Sequence, residues 1–211
     1  MGRVIAVANQ KGGVGKTTTV INLAAYLADA GRRVLAVDVD PQGNTTTGLG
    51  IDKSSIEASI YDVLLGDGEV MDALLPTEVV GLHLVPATMD LAGAEVELAQ
   101  MEPRETLLRD RLAVIRDRYD FVFIDCPPSL GLLTINALTA ADAVMIPIQC
   151  EFFALEGLSQ LLATIELVKR RLSSHLQLEG VVLTRFEDGH QFRPASPPPI
   201  AEHDLPPTAT S

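Results

Sequence analysis

The run Val4-Ile5-Ala6-Val7-Ala8 leads without a break into Asn9-Gln10-Lys11-Gly12-Gly13-Val14-Gly15-Lys16-Thr17-Thr18-Thr19, and no other feature of the 211-residue chain narrows its possible folds as far. Five apolar residues bounded by a glycine cluster read as a strand buried on both faces. Behind the loop, Val20, Leu23, Ala24 and Leu27 recur at helical spacing, so a helix is expected from near Lys16 to Gly31, a residue able to take the left-handed cap conformation. Strand, glycine loop and helix in that order gather backbone N–H groups at a helix N-terminus, where phosphate oxygens bind. Gly12, Gly13 and Gly15 let the backbone curl inward, Lys16 reaches β and γ phosphates, and Thr17 offers a hydroxyl to magnesium. The usual spacing places a glycine where this chain has Gln10, and it adds Lys11, a second cation at the loop rim that meets phosphate in its own site or in a facing copy.

The rest of the chain alternates short β-branched runs with longer helical patterns, the signature of βα units around a mostly parallel sheet. Strands are expected at Val34–Val37, Leu82–Val85, Phe121–Ile124, Ala143–Ile146 and Gly180–Thr184, and helices around Leu91–Met101, Thr106–Arg116, Leu132–Leu138 and Leu155–Leu172. Asp38 and Asp40 end the second strand at the carboxyl edge of the sheet, where ligands collect in such folds. Asp125 follows an apolar strand, as a carboxylate must to hold a magnesium water shell beside Thr17, although an aspartate there also caps turns. Gly43-Asn44-Thr45-Thr46-Thr47-Gly48 reads equally as a sensor of the γ phosphate and as an inert connection.

These motifs carry a resemblance. KGGVGKTT is similar to the deviant Walker A motif of the ParA/MinD ATPases, and the ParA/Soj partitioning branch fits best: Val37-Asp38-Val39-Asp40-Pro41-Gln42-Gly43-Asn44 resembles its second motif and Phe123–Gly131 its Walker B segment, with a further likeness at Ile148–Gly157. The resemblance runs from residue 3 to about residue 189. It implies a P-loop NTPase fold, a twisted parallel sheet with helices on both faces, and slow ATP hydrolysis with ATP and Mg2+ as cofactors. It also implies nucleotide binding by Lys11, Gly12, Gly13, Val14, Gly15, Lys16, Thr17 and Thr18, metal contact by Thr17, Asp38 and Asp125, and catalysis by Lys11, Lys16 and Asp40, with Asp40 positioning the attacking water. Lys11 would reach the partner's phosphates across an ATP-dependent homodimer, with Gly12 permitting close approach of the two loops. Non-specific DNA, a ParB-like activator and a cytoplasmic, nucleoid-associated location complete the expectation.

From Gly189 onward the resemblance fails. Residues 190–211 hold Pro194, Pro197, Pro198, Pro199, Pro206 and Pro207 among the 13 prolines and show no periodicity, so they read as a disordered tail after an ATPase domain, 1–189, lacking its last C-terminal elements. The loss is expected to leave apolar surface uncovered and DNA binding weakened. A truncated, non-cycling remnant acting as an interaction module is the alternative, and a MinD-like membrane cycle lacks its basic amphipathic helix. With 28 acidic and 16 basic side chains the net charge is −12, so a polyanion binds only through a local basic patch. Lys169-Arg170-Arg171 could form one, but a cationic last helical turn is the plainer reading. Cys126 and Cys150 lack metal or redox spacing and read as buried thiols, not as ligands of a shared iron–sulfur cluster. No apolar run approaches a membrane span.

Overall fold

The computed structural model describes residues 2–66, 68–149 and 154–184. In chain order the elements are β1 (Arg3–Val7), α1 (Lys16–Asp29), β2 (Val34–Asp38), α2 (Asn44–Gly48), α3 (Ile60–Leu65), β3 (Leu75–Pro76), β4 (Leu82–Val85), α4 (Ala94–Leu98), α5 (Leu107–Ala113), β5 (Phe121–Asp125), α6 (Leu132–Ala140), β6 (Ala143–Gln149), α7 (Ala154–Arg171) and β7 (Gln177–Thr184). The strands form one sheet in the order β3-β4-β2-β5-β1-β6-β7. Every pairing is parallel except that of β3 with β4.

Alternation along each strand sends neighbours to opposite faces, and both faces of the central strands are dry. Val4, Ala6, Leu35, Val37, Val122, Ile124, Val144 and Ile146 pack beneath α3 to α7 with Leu64, Leu108, Leu138 and Leu161. Ile5, Val7, Val34, Ala36, Leu84 and Phe123 face the other way onto Val20, Ala24 and Ala28 of α1. Helix α1 ends as its sequence predicts: Gly31 takes φ +80°, its N–H bonds to Ala28 O at 2.9 Å, and Arg32 N bonds to Leu27 O at 3.0 Å.

Two helices differ from expectation. The pattern over 91–101 is a 3-10 turn at Met89–Ala92 followed by the five-residue α4, with Gly93 interrupting the run. The 106–116 pattern is α5 followed by a separate 3-10 turn at Arg116–Arg118. Strand β6 runs three residues further than its apolar core suggested, through Pro147 to Gln149, and β7 starts earlier, at Gln177, with a register irregularity opposite Val144 and Met145. Helix α3 carries a capping box in which Ser59 and Asp62 satisfy each other's backbone N–H groups, an S-x-x-D signature passed over in the sequence. The expected tail, its boundary at residue 189 and Cys150 lie outside the described residues. Cys126 is fully buried, and burial pushes its thiol well above the ordinary range. No helix among the described residues is long and apolar enough to cross a membrane.

Candidate phosphate site

Parallel pairing brings the carboxyl ends of β1, β2, β5 and β6 to one edge, and the loop Asn9–Gly15 rises from that edge into α1. Gly13 and Gly15 stand at φ +74° and +92°, conformations that a residue with a Cβ rarely adopts. Asn9 starts the loop: its Oδ1 accepts from Lys11 N at 3.0 Å, and its Nδ2 donates to Pro147 O of β6 at 2.6 Å. Val14 is buried beneath the loop, while Gly12, Gly13 and Thr18 are exposed and Lys11 is half-buried at the rim. Among the described residues, the N–H groups of Gly13, Val14 and Gly15 donate to no backbone carbonyl. Lys16 is 7% exposed and its Nζ donates to Lys11 O at 3.3 Å, closing the loop from within. Burial lowers the Lys16 pKa, opposed chiefly by the negative charge of Asp125 and less by Asp40.

Beneath the lysine lies an acidic pair. Asp38 and Asp125 are register partners at the ends of β2 and β5, 0% and 1% exposed. Asp125 Oδ2 accepts from the hydroxyls of Thr17 at 2.8 Å and Thr45 at 2.7 Å, whereas its Oδ1 is buried with no hydrogen-bond partner among the described residues. Asp38 Oδ2 accepts from Thr46 N at 2.9 Å and Thr46 Oγ1 at 2.8 Å, and its Oδ1 from Asp40 N at 3.2 Å. Burial, and then the neighbouring Asp125 charge, push Asp38 up to about 7. Burial also raises Asp125, against the hydroxyls of Thr45 and Thr17 and the charge of Lys16. Two buried carboxylates side by side with one ammonium leave a deficit of positive charge. Asp40 is 8% exposed and its Oδ1 accepts from Gln42 N at 2.9 Å.

The sequence therefore identified Lys16, Thr17, Asp38, Asp40 and Asp125, which converge, and Lys11, Gly12, Gly13 and Thr18, which form the outer rim. It missed the roles of Thr45, Thr46, Asn9, Gln149 and Thr184. The hydroxyl-rich run after Asp40 was the available signal for the first two: Thr45 and Thr46 are wholly buried and bonded to the acidic pair, which ties α2 to the site. Lys169, Arg170 and Arg171 close α7, which runs back from the carboxyl edge to the start of β7, so they lie at the opposite edge of the sheet from the loop. Among the described residues no group of three or more His, Cys, Asp or Glu side chains is placed to hold a metal ion.

Comparison with known proteins gives a consistent result. The AAA domain family matches residues 2–178. The chain is 57% identical over 187 residues to the sporulation initiation inhibitor protein Soj of Bacillus subtilis, covering 89% of this chain and 74% of that protein. It is likewise 57% identical to the chromosome partitioning protein ParA of Caulobacter vibrioides, covering 88% and 70%. A crystal structure of a cobyrinic acid a,c-diamide synthase from Mycobacterium smegmatis with bound ATP analog and magnesium superposes with a TM-score of 0.86 at 48% identity, over 90% of this chain and 78% of that one.

Proposed function

This chain belongs to the Soj/ParA family of partitioning ATPases, and on that premise we propose that Mg-ATP bound at the loop of residues 9–17 pairs two copies, which hold DNA and release it when a ParB-like protein stimulates hydrolysis. The observation that carries the nucleotide reading is the convergence of Lys16, Thr17 and a buried acidic pair under a loop whose inner N–H groups have no backbone partner among the described residues. A protein named a synthase shares the fold at 48% identity, but two partitioning relatives stand at 57%.

The residues present fit magnesium. Asp125 Oδ1 is buried and unsatisfied beside the Thr17 hydroxyl, and a magnesium ion in such sites takes few protein ligands, the rest being water and phosphate oxygens. Thr17 would hold it directly, and Asp125 and Asp38 would hold its water shell. When bound, the ion neutralises phosphate charge. Lys16 gives up the Lys11 carbonyl for β and γ phosphate oxygens, and the amides of 13–16 hold the same charge at the helix N-terminus. Asp40, its Oδ1 held by Gln42 N, is the carboxylate that orients water for in-line attack.

Gly12 supports the pairing of two copies. Its φ is not among the positive values, and a Cβ built there meets nothing within 4 Å, so neither conformation nor packing in a single chain demands glycine. A facing copy does. Lys11 at the rim is then placed to cross to the partner's phosphates. With a net charge of −12 per chain, DNA has to be met by local basic groups. The association with the nucleoid follows from that contact and not from the overall field. The test of the nucleotide reading is ATP turnover and Mg-ATP thermal shift for the native chain and Lys16→Ala. The native chain is expected to be stabilised by Mg-ATP and to hydrolyse it slowly, and the variant to fold without either response. Equal turnover by both proteins would refute the assignment.

A further inference from the structure

The phosphate loop works only if its peptide N–H groups aim inward, and two side chains outside the loop fix that aim. Gln149 Nε2 donates to Gly13 O at 2.7 Å. Thr184 Oγ1 lies 2.6 Å from Val14 O and 3.3 Å from Ile148 O, and its single proton goes to the nearer, Val14. In a trans peptide the C=O and the following N–H point in opposite directions. A donor holding the Gly13 carbonyl from outside therefore turns the N–H of Val14 the other way, and one holding the Val14 carbonyl does the same for the N–H of Gly15.

The two donors share one origin. Gln149 and Thr184 are register partners at the ends of β6 and β7. Asn9 adds a third tie, from the start of the loop to Pro147 of β6. The Thr184 methyl completes the clamp: a Cβ built on Gly15 would lie 3.2 Å from it, so the loop backbone rests against the end of β7. The edge strand β7 and its neighbour β6 thus carry the wall against which the loop is set.

We infer that Gln149 and Thr184 are positioning residues of the phosphate loop, holding the Gly13 and Val14 carbonyls outward so that the Val14 and Gly15 amides meet the anion already aligned. The inference rests on the nucleotide reading above, and it makes the end of β7 part of the nucleotide machinery through its hold on the loop. Pre-aligned donors cost no reorganisation on binding, so their loss appears as weaker affinity.

Thr184→Val keeps the methyl and the shape but loses the donor; Gln149→Leu loses the amide, and Thr184→Ser keeps the hydroxyl. Calorimetry with Mg-ADP is expected to show about five- to tenfold weaker binding for Thr184→Val and Gln149→Leu, and affinity within about twofold of native for Thr184→Ser, at melting temperatures close to native. In the nucleotide-free protein, the Val14 carbonyl 13C resonance is expected to move in Thr184→Val and to stay in Thr184→Ser. Native affinity in both donor-less variants, or a Val14 carbonyl resonance unmoved by Thr184→Val, would overturn the inference. If the native chain itself bound no Mg-ADP, the nucleotide reading would fall, and the carbonyl resonance would still decide whether Thr184 holds the loop.

Discussion

Thr46 joins three segments that sequence places far apart. Its hydroxyl donates to Asp38 of β2, the same oxygen accepts from Ala87 N beyond β4 at 3.0 Å, and its own N–H also serves Asp38. Replacing it by the isosteric valine keeps the volume but strips a buried, acidic partner of a donor and the Ala87 amide of its acceptor. Thr46→Val is expected to destabilise the nucleotide-free chain by about 2 kcal/mol in urea unfolding, and Thr46→Ser by much less. An undiminished stability in Thr46→Val would show that the hydroxyl bonds contribute nothing, and a loss in Thr46→Ser as large as in Thr46→Val would show that the methyl contributes as much as the hydroxyl. The same scale explains what a reader of the sequence sees. Lys16 and Thr17 are legible because a strand, glycines, lysine and threonine stand together locally, and Asp125 because it closes an apolar run. Gln149 and Thr184 are not: their partners are loop carbonyls 136 and 170 positions away, reached only once the register of β6 and β7 is set. Any polar residue at a strand end looks alike until then.

Among elements, the βα alternation gives the parallel sheet, the strand positions and α1 directly, since buried runs and a glycine cap are local patterns. The short pieces between β2 and β5 are less legible, because tertiary packing decides how a brief helical pattern breaks, as Gly93 does before α4. The entrances of β2 and β5 are clasped by one ion pair: Asp120 accepts from Arg33 N at 2.9 Å and from its guanidinium at 2.8 Å, while Arg33 O accepts from Asp120 N at 2.8 Å. The Arg33 bonds bring Asp120 down to about 2. A carboxyl depressed on folding stabilises the chain above its unfolded pKa, near 4, and that contribution is lost as pH falls from about 4 towards about 2. The stability difference between native and Asp120→Asn is therefore expected to be constant above about pH 5, to shrink as pH falls through about 2, and to shrink in molar salt because the pair is exposed. A difference independent of pH would assign the effect to the backbone bonds alone.

At the scale of the molecule, the sheet carries its chemistry at one edge and its least covered apolar surface at one side. Val181 and Leu183 of β7 are 48% and 65% exposed. Gly12 bears on assembly rather than on the fold. Gly12→Leu is expected to melt as the native chain does, yet to remain a monomer by light scattering at Mg-ATP concentrations that saturate it; dimerisation unchanged by the leucine would remove the loop from the interface. Whether ATP at this loop brings two chains together is decided by sedimentation velocity of Asp40→Ala, in which hydrolysis is expected to be blocked and any pair to be trapped. A dimer in Mg-ATP and a monomer in Mg-ADP or without nucleotide is the predicted result. A folded Asp40→Ala chain that binds Mg-ATP and sediments as a monomer throughout would contradict it.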